Sequence, residues 1–183
     1  MPAGALGSGE VQRKRGGIAR VKLKKLTALA LLTAVSLILF LVENQIPAPV
    51  PVPGVKLGLG NIIVVCVLFL YGRREALAVL LVKVLLSALL TGNLGALAYS
   101  LTGGLLSLGV MCLLKGLLTE RQLWAGSVLG AMFHNLGQLL AAALIARTPG
   151  LLGYLPVLLL SGMITGLFTG LAAQAVVSRL RKR

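Results

Sequence analysis

His134, Asn135 and Gln138 sit in a stretch that is otherwise apolar, Leu123–Ala146. His134 and Gln138 are four residues apart, and Asn135 and Gln138 three. On a helix those spacings put the side chains on one broad face. An imidazole beside two amides can hydrogen-bond a ligand, and the imidazole can also carry a proton. Each residue also has a plainer role as a hydrogen-bonded packing group. Lys83 lies inside another apolar stretch, Ala76–Leu90. There an ammonium must snorkel, pair with an acid such as Glu43, or face a cavity. Glu43, Lys56, Asn61 and Asn93 stand where such stretches begin or end. Glu43 and Lys56 are either ordinary interfacial residues or groups at the mouth of a pocket. Asn93, in Thr91-Gly92-Asn93, either caps a helix or lines that mouth. Lys83 and Lys56 together suggest an anionic group on whatever binds.

The elements that must position these residues follow from composition. The chain has 183 residues, of which 57% are apolar and only 12% charged. Soluble domains run roughly 45–50% apolar and about 25% charged. A soluble enzyme, a disordered tail and a disulfide-rich secreted module are thereby excluded. Cys66 and Cys112 both lie in apolar runs and read as small lipid- or core-facing residues. Six apolar segments emerge: Leu26–Val42, Leu57–Tyr71, Ala76–Leu90, Leu94–Leu114, Leu123–Ala146 and Tyr154–Val177. A crossing needs roughly 20 residues. The second and third segments reach only about 22 Å at the helical rise, so either their bounds are drawn tightly or these helices are partly buried in protein and meet a locally thin bilayer.

The basic residues orient the six helices. With six spans, both termini share one side. That side holds fifteen Lys and Arg residues, in the N-terminal run to Lys25, at Arg73 and Arg74, at Lys115 and Arg121, and from Arg179 to Arg183. The other side holds Lys56 and Arg147. This asymmetry places both termini in the cytoplasm. The formal net charge of +14 is thus divided among membrane-flanking clusters. With no aromatic stacking platform, nucleic acid is not an expected partner. The first apolar run ends in Glu43-Asn44-Gln45 rather than a small-residue cleavage site, so it reads as an uncleaved span. Residues 1–23 form a basic tail expected to be disordered, 24–178 a single six-helix transmembrane domain, and 179–183 a basic cytoplasmic tail.

The polar set falls between mid-membrane and the outer surface, which points to a pocket open to the outside. The first outer loop, Gln45–Gly54, alternates Pro with small or branched residues. It is either a stiff cover for the pocket mouth or a spacer. Small residues recur at helical spacing: Ala30 and Ala34, Gly126 and Gly130, and Gly162, Gly166 and Gly170. Such patterns let helices approach closely. For Ala30 and Ala34 the approaching helix belongs either to this chain or to a partner.

The stretch Glu43-Asn44-Gln45-Ile46-Pro47 with Pro53-Gly54-Val55-Lys56-Leu57-Gly58-Leu59-Gly60-Asn61 resembles the loop signature of a bacterial family. That family is named both heptaprenyl diphosphate synthase component I and Gx transporter. His134-Asn135-Leu136-Gly137-Gln138 and Tyr99-Ser100-Leu101-Thr102-Gly103-Gly104 are similar to its fifth- and fourth-span motifs. The resemblance covers roughly residues 24–178. The family in turn is similar to the substrate-binding S components of energy-coupling factor (ECF) transporters. That likeness implies an S-component-like, all-α bundle of six transmembrane helices in the bacterial cytoplasmic membrane. It implies a ligand site in the outer half, lidded by the loop between the first two spans. It also implies docking, through Ala30 and Ala34, on a transmembrane scaffold that carries ATPase subunits.

Joining allylic and homoallylic diphosphates needs carboxylates that hold Mg²⁺. The four acids, Glu10, Glu43, Glu75 and Glu120, are scattered, and there is no Asp. No phosphate-cradling loop ends in Lys-Ser/Thr either. The chain therefore reads as no enzyme, with no cofactor and no metal of its own. The leading expectation is a membrane subunit that captures a small molecule for an ECF-type importer. Its candidate contacts are Lys83, His134, Asn135, Gln138, Asn61, Lys56, Glu43 and Asn93. Second is a non-catalytic accessory of isoprenoid or quinone synthesis. Third is a secondary transporter coupled to protons through His134 and Glu43, which fits less well because no inverted repeat is visible.

Overall fold

A computed structural model of the chain describes residues 5–45, 58–92 and 95–182. Among them are six α-helices and no strand: α1 (Ala5–Gln45), α2 (Leu59–Leu70), α3 (Arg73–Thr91), α4 (Gly95–Leu114), α5 (Leu123–Ile145) and α6 (Leu155–Arg181). Short 3₁₀ turns at Glu120–Gln122 and Pro149–Tyr154 lead into α5 and α6. The helices sit on the six apolar segments. α1 starts earlier, at Ala5, so helical backbone runs through residues 5–23, where the sequence reading expects disorder. The Lys- and Arg-rich part of that stretch has good helix propensity. Lys56, Asn93 and the Pro-rich stretch Ile46–Gly54 lie outside the described residues.

Four stretches are long and apolar enough to cross a membrane: Val21–Gln45, Leu97–Leu114, Leu123–Ile145 and Pro149–Arg181. Their outward faces carry Leu31, Leu113, Leu144, Leu160 and Phe168, all strongly exposed. Water would not tolerate so wide an apolar coat, whereas lipid does. The protein is built as a membrane protein. α3 is long enough but carries Lys83 and a charged first turn. Its exposed face, with Leu81, Leu85 and Leu89, is as apolar as the others.

α2 is different. Its 12 residues rise only about 18 Å. Val64 through Phe69 are buried on every side, as expected for a helix that is apolar all round. α1, α3 and α6 pack against it. α2 is thus the core of the bundle, and the expected protein burial of the second segment holds.

α2 is held at both ends by charges that match its dipole. At its start, Gly58 adopts a left-handed conformation, φ +70°. The N–H groups of Gly58 and Leu59 donate to the two Glu43 carboxylate oxygens at 2.5 and 2.9 Å. At its end, Lys115 Nζ donates to the Leu68 carbonyl at 2.5 Å, and the Arg181 guanidinium to the Phe69 carbonyl at 3.0 Å. A carboxylate belongs at a helix N-terminus and cations at its C-terminus. Nearby, Arg73 donates to the Cys112 carbonyl at 2.8 Å. Lys25 pairs with Glu75, and that hydrogen bond holds the Glu75 carboxyl below its usual range. Burial, then Arg181 and Arg73, lower the Lys115 pKa.

The recurring glycines are close contacts inside the bundle. An added Cβ at Gly166 would stand 2.7 Å from Val128 Cα, and one at Gly170 2.7 Å from Trp124 Cα. α6 therefore lies backbone to backbone on α5. Gly137 faces Gly103 Cα at 2.9 Å in the same sense, joining α5 to α4. Ala30 and Ala34 behave otherwise: both are exposed on α1, which buries Thr33 and Ser36 instead.

Two stability outcomes follow. Gly166→Ala overpacks a backbone contact and should cost about 1–3 kcal/mol. Gly109→Ala is its control, since Gly109 has nothing within 4 Å and should be neutral or stabilising. Lys115→Met should cost about 1 kcal/mol by freeing the α2 carbonyl end. Thermal unfolding of the detergent-purified variants checks all three, and equal midpoints for the two glycine variants would contradict the close α5–α6 contact.

Candidate functional site

Lys83 emerges from α3 toward α2 with only 7% of its surface exposed. Its Nζ donates to Asn61 Oδ1 at 2.7 Å. The lysine does not snorkel; it faces a cavity, and its hydrogen-bond partner is an amide rather than the acid that the sequence suggested. Glu43 is 6% exposed and is no ordinary interfacial residue, because it caps α2. Gly60 is what lets the three helices meet there. A Cβ on it would lie 2.9 Å from the Ser36 carbonyl and 3.0 Å from Lys83 Nζ. Ser36 is fully buried, and its hydroxyl donates to the Gly60 carbonyl at 2.6 Å.

The cavity has a volume of about 330 Å³. Glu43 and Phe40 of α1, Asn61 of α2 and Lys83 of α3 form one wall. His134, Asn135 and Gln138 of α5 form another. Glu43, Asn61, Lys83, His134, Asn135 and Gln138 are thus brought to one space from four helices. Lys56 and Asn93 fall outside the described residues, and Ala30 and Ala34 lie away from the cavity on the outward face of α1.

The α5 residues are set by glycines opposite them. A Cβ at Gly103 would lie 2.7 Å from Gln138 Cγ and 3.1 Å from His134 Nδ1. Gly162 leaves room for the Asn135 amide, whose Nδ2 donates to the Leu158 carbonyl at 2.7 Å. Asn135 therefore serves α5–α6 packing as well as lining the cavity. Beside the main cavity, a void of about 20 Å³ touches Asn61, Ser107 and His134. That is room for about one water with polar partners.

The cavity extends further than the sequence reading supposed. Its lining includes Ser107 and Met111 in the second half of α4, Ser127 near the start of α5, and Thr169 in mid-α6. Ser127 and Thr169 hydroxyls meet at 3.2 Å. Tyr99, Ser100 and Tyr154 also line it. Sequence reasoning missed these hydroxyls because a helical Ser or Thr commonly bonds its own preceding turn, as Thr33 does to Leu29 and Thr102 to Ala98. Only Tyr99-Ser100 carried a signal, as part of the fourth-span motif. Among the described residues, no three His, Cys, Asp or Glu side chains gather as metal ligands.

Glu43→Ala should release the start of α2 without emptying the core. Hydrogen exchange at the Gly58 and Leu59 amides should speed up at least ten-fold, while amides in Val65–Leu68 keep their protection. Unchanged exchange at Gly58 and Leu59 would show that the carboxylate does not hold them.

A family model described as heptaprenyl diphosphate synthase component I matches residues 32–176. The chain matches no curated protein and no solved structure. The matched span runs from mid-α1 to near the end of α6 and takes in both polar walls of the cavity. On that match, the chain belongs to the heptaprenyl diphosphate synthase component I family.

Proposed function

We propose that the protein is the membrane-embedded capture subunit of an importer, similar to the S components of ECF transporters. The observation that carries this reading is the cavity itself. Polar groups from α1, α2, α3 and α5 converge on a space of about 330 Å³, at the low end of small-molecule sites. In this reading all six helices span the bacterial cytoplasmic membrane with both termini inside. The Lys25–Glu75 and Lys115–Arg181 end then faces the cytoplasm, and the Glu43 end faces out. A ligand enters from outside, among Lys83, Asn61, His134, Asn135 and Gln138, with Lys56, Glu43 and Asn93 near the mouth. The protein itself is non-catalytic. Energy comes from ATPase subunits on a transmembrane scaffold, which docks on the exposed Ala30 and Ala34 of α1.

The family name supports a second reading, a non-catalytic membrane accessory of heptaprenyl diphosphate synthesis. A burst of prenyl-chain synthesis on adding this protein to a separate catalytic subunit would favour it. Uptake that survives without any ATPase and collapses with a proton uncoupler would instead favour proton coupling through His134 and Glu43.

Affinity purification of the full chain from its own membranes tests the importer reading. An ATPase and a scaffold protein should come with it, and Ala30→Leu combined with Ala34→Leu should reduce their recovery at least five-fold. Undiminished recovery would remove the docking role from α1. Purification with neither subunit would count against the importer.

A further inference from the structure

The cavity wall carries two formal charges, Lys83 and Glu43, and they are not answered equally. Glu43 receives two backbone N–H groups at the N-terminus of α2. That end of a helix carries a partial positive charge, so the carboxylate is well compensated. Lys83 donates to a neutral amide oxygen, Asn61 Oδ1. An ammonium has three donors, and one such bond leaves most of its capacity for the cavity. The Glu43 carboxylate acts on that charge electrostatically, but it already serves the α2 amides, and burial in low dielectric keeps the ammonium costly unless a further anion meets it.

The rest of the lining limits how much negative charge the site accepts. Among the described residues, the lining holds no arginine and no lysine besides Lys83; apart from Glu43, the other polar groups there are amides, an imidazole and hydroxyls. The N-terminus of α2, a natural anion cradle, is already occupied by Glu43. Among the described residues no carboxylate cluster gathers to hold a metal for a polyphosphate. Val65, Leu80, Val84, Met111 and Leu139 supply an apolar remainder.

We propose that the cavity selects a small amphipathic monoanion of the carboxylate class, its charged end on Lys83 Nζ and its apolar body toward Leu80 and Met111, and that it rejects diphosphates. The inference rests on the capture reading and narrows it to a ligand class. Asn61 acts as the positioning residue. Its amide fixes the ammonium and brings no opposing charge of its own. Gly60 keeps the approach open, because any side chain there meets Lys83 Nζ at 3.0 Å.

The test is thermal unfolding and equilibrium binding of the detergent-purified full chain. The probes are a panel of water-soluble aliphatic and aromatic monocarboxylates, their matched uncharged amides, and isopentenyl and dimethylallyl diphosphate. At least one carboxylate should bind ten-fold or more tightly than its amide and than either diphosphate. Asn61→Asp sets a fixed carboxylate against Lys83 and should erase the preference for carboxylate over amide. Lys83→Met should do the same; Asn61→Asp decides the matter if Lys83→Met does not fold. Tighter binding of an amide or a diphosphate, lost on Lys83→Met or Asn61→Asp, overturns the ligand class and leaves capture standing. Carboxylate binding that both variants retain overturns the role of Lys83. A panel in which nothing binds overturns the carboxylate class, and capture is then judged separately by whether ATPase and scaffold subunits accompany the chain.

Discussion

An ammonium buried among apolar helices is the most demanding group in this chain, and much of the surrounding structure is arranged around it. Lys83 needs an oxygen partner, which Asn61 supplies at 2.7 Å. Asn61 can be there only because α2 passes close to α1 and α3. That passage needs Gly60, where a side chain would strike the Ser36 carbonyl and the ammonium together. It is secured by the Ser36 hydroxyl on the Gly60 carbonyl. One buried charge thus fixes how three helices cross. A lysine placed so deep serves stability poorly, which is why its exposure to the cavity, rather than its packing, carries the functional reading.

α2 extends the same logic along the bundle axis. At about 18 Å it is short for a crossing, and Val64 through Phe69 have no lipid face. Its dipole is matched by Glu43 at one end and by Lys115 and Arg181 at the other. Two of the basic residues that flank the apolar segments therefore also finish the orphan carbonyls of its central helix. The two ends of the molecule are chemically distinct as a result. One holds the Glu43 carboxylate. The other holds the Lys25–Glu75 pair and the cationic caps. α4, α5 and α6, packed through Gly103, Gly137, Gly166 and Gly170, form the firmer half against which the α1–α3 group closes the cavity.

Much of this was legible in the sequence. Helix positions followed from apolar runs punctuated by Gly and by charge, and the ends of α3, α4 and α5 fall within a few residues of those runs. His134, Asn135 and Gln138 were recognisable as a set because amides and imidazole are rare in apolar helices. Lys83 stood out for the same reason. Three things were not legible. The Lys83–Asn61 bond joins residues of different helices; the sequence offered snorkelling, a Glu43 pair or a cavity for Lys83, and nothing in it marked an amide as the partner. The capping role of Glu43 depends on where α2 begins relative to α1, which no local pattern specifies. The hydroxyls deep in the cavity, Ser107, Ser127 and Thr169, look like any helical Ser or Thr that bonds its own backbone. Ala30 and Ala34 matched the small-residue spacing seen elsewhere in the chain, and only their exposure sets them apart from the glycines of α6.

The central claim is that this cavity holds a small molecule through Lys83. Mass spectrometry of compounds extracted from the purified full chain, alongside the same extraction from the Lys83→Met variant, tests it most directly. The account predicts a compound enriched in the first extract and depleted at least ten-fold in the second, from protein that is equally folded. Two folded proteins with indistinguishable extracts would contradict it.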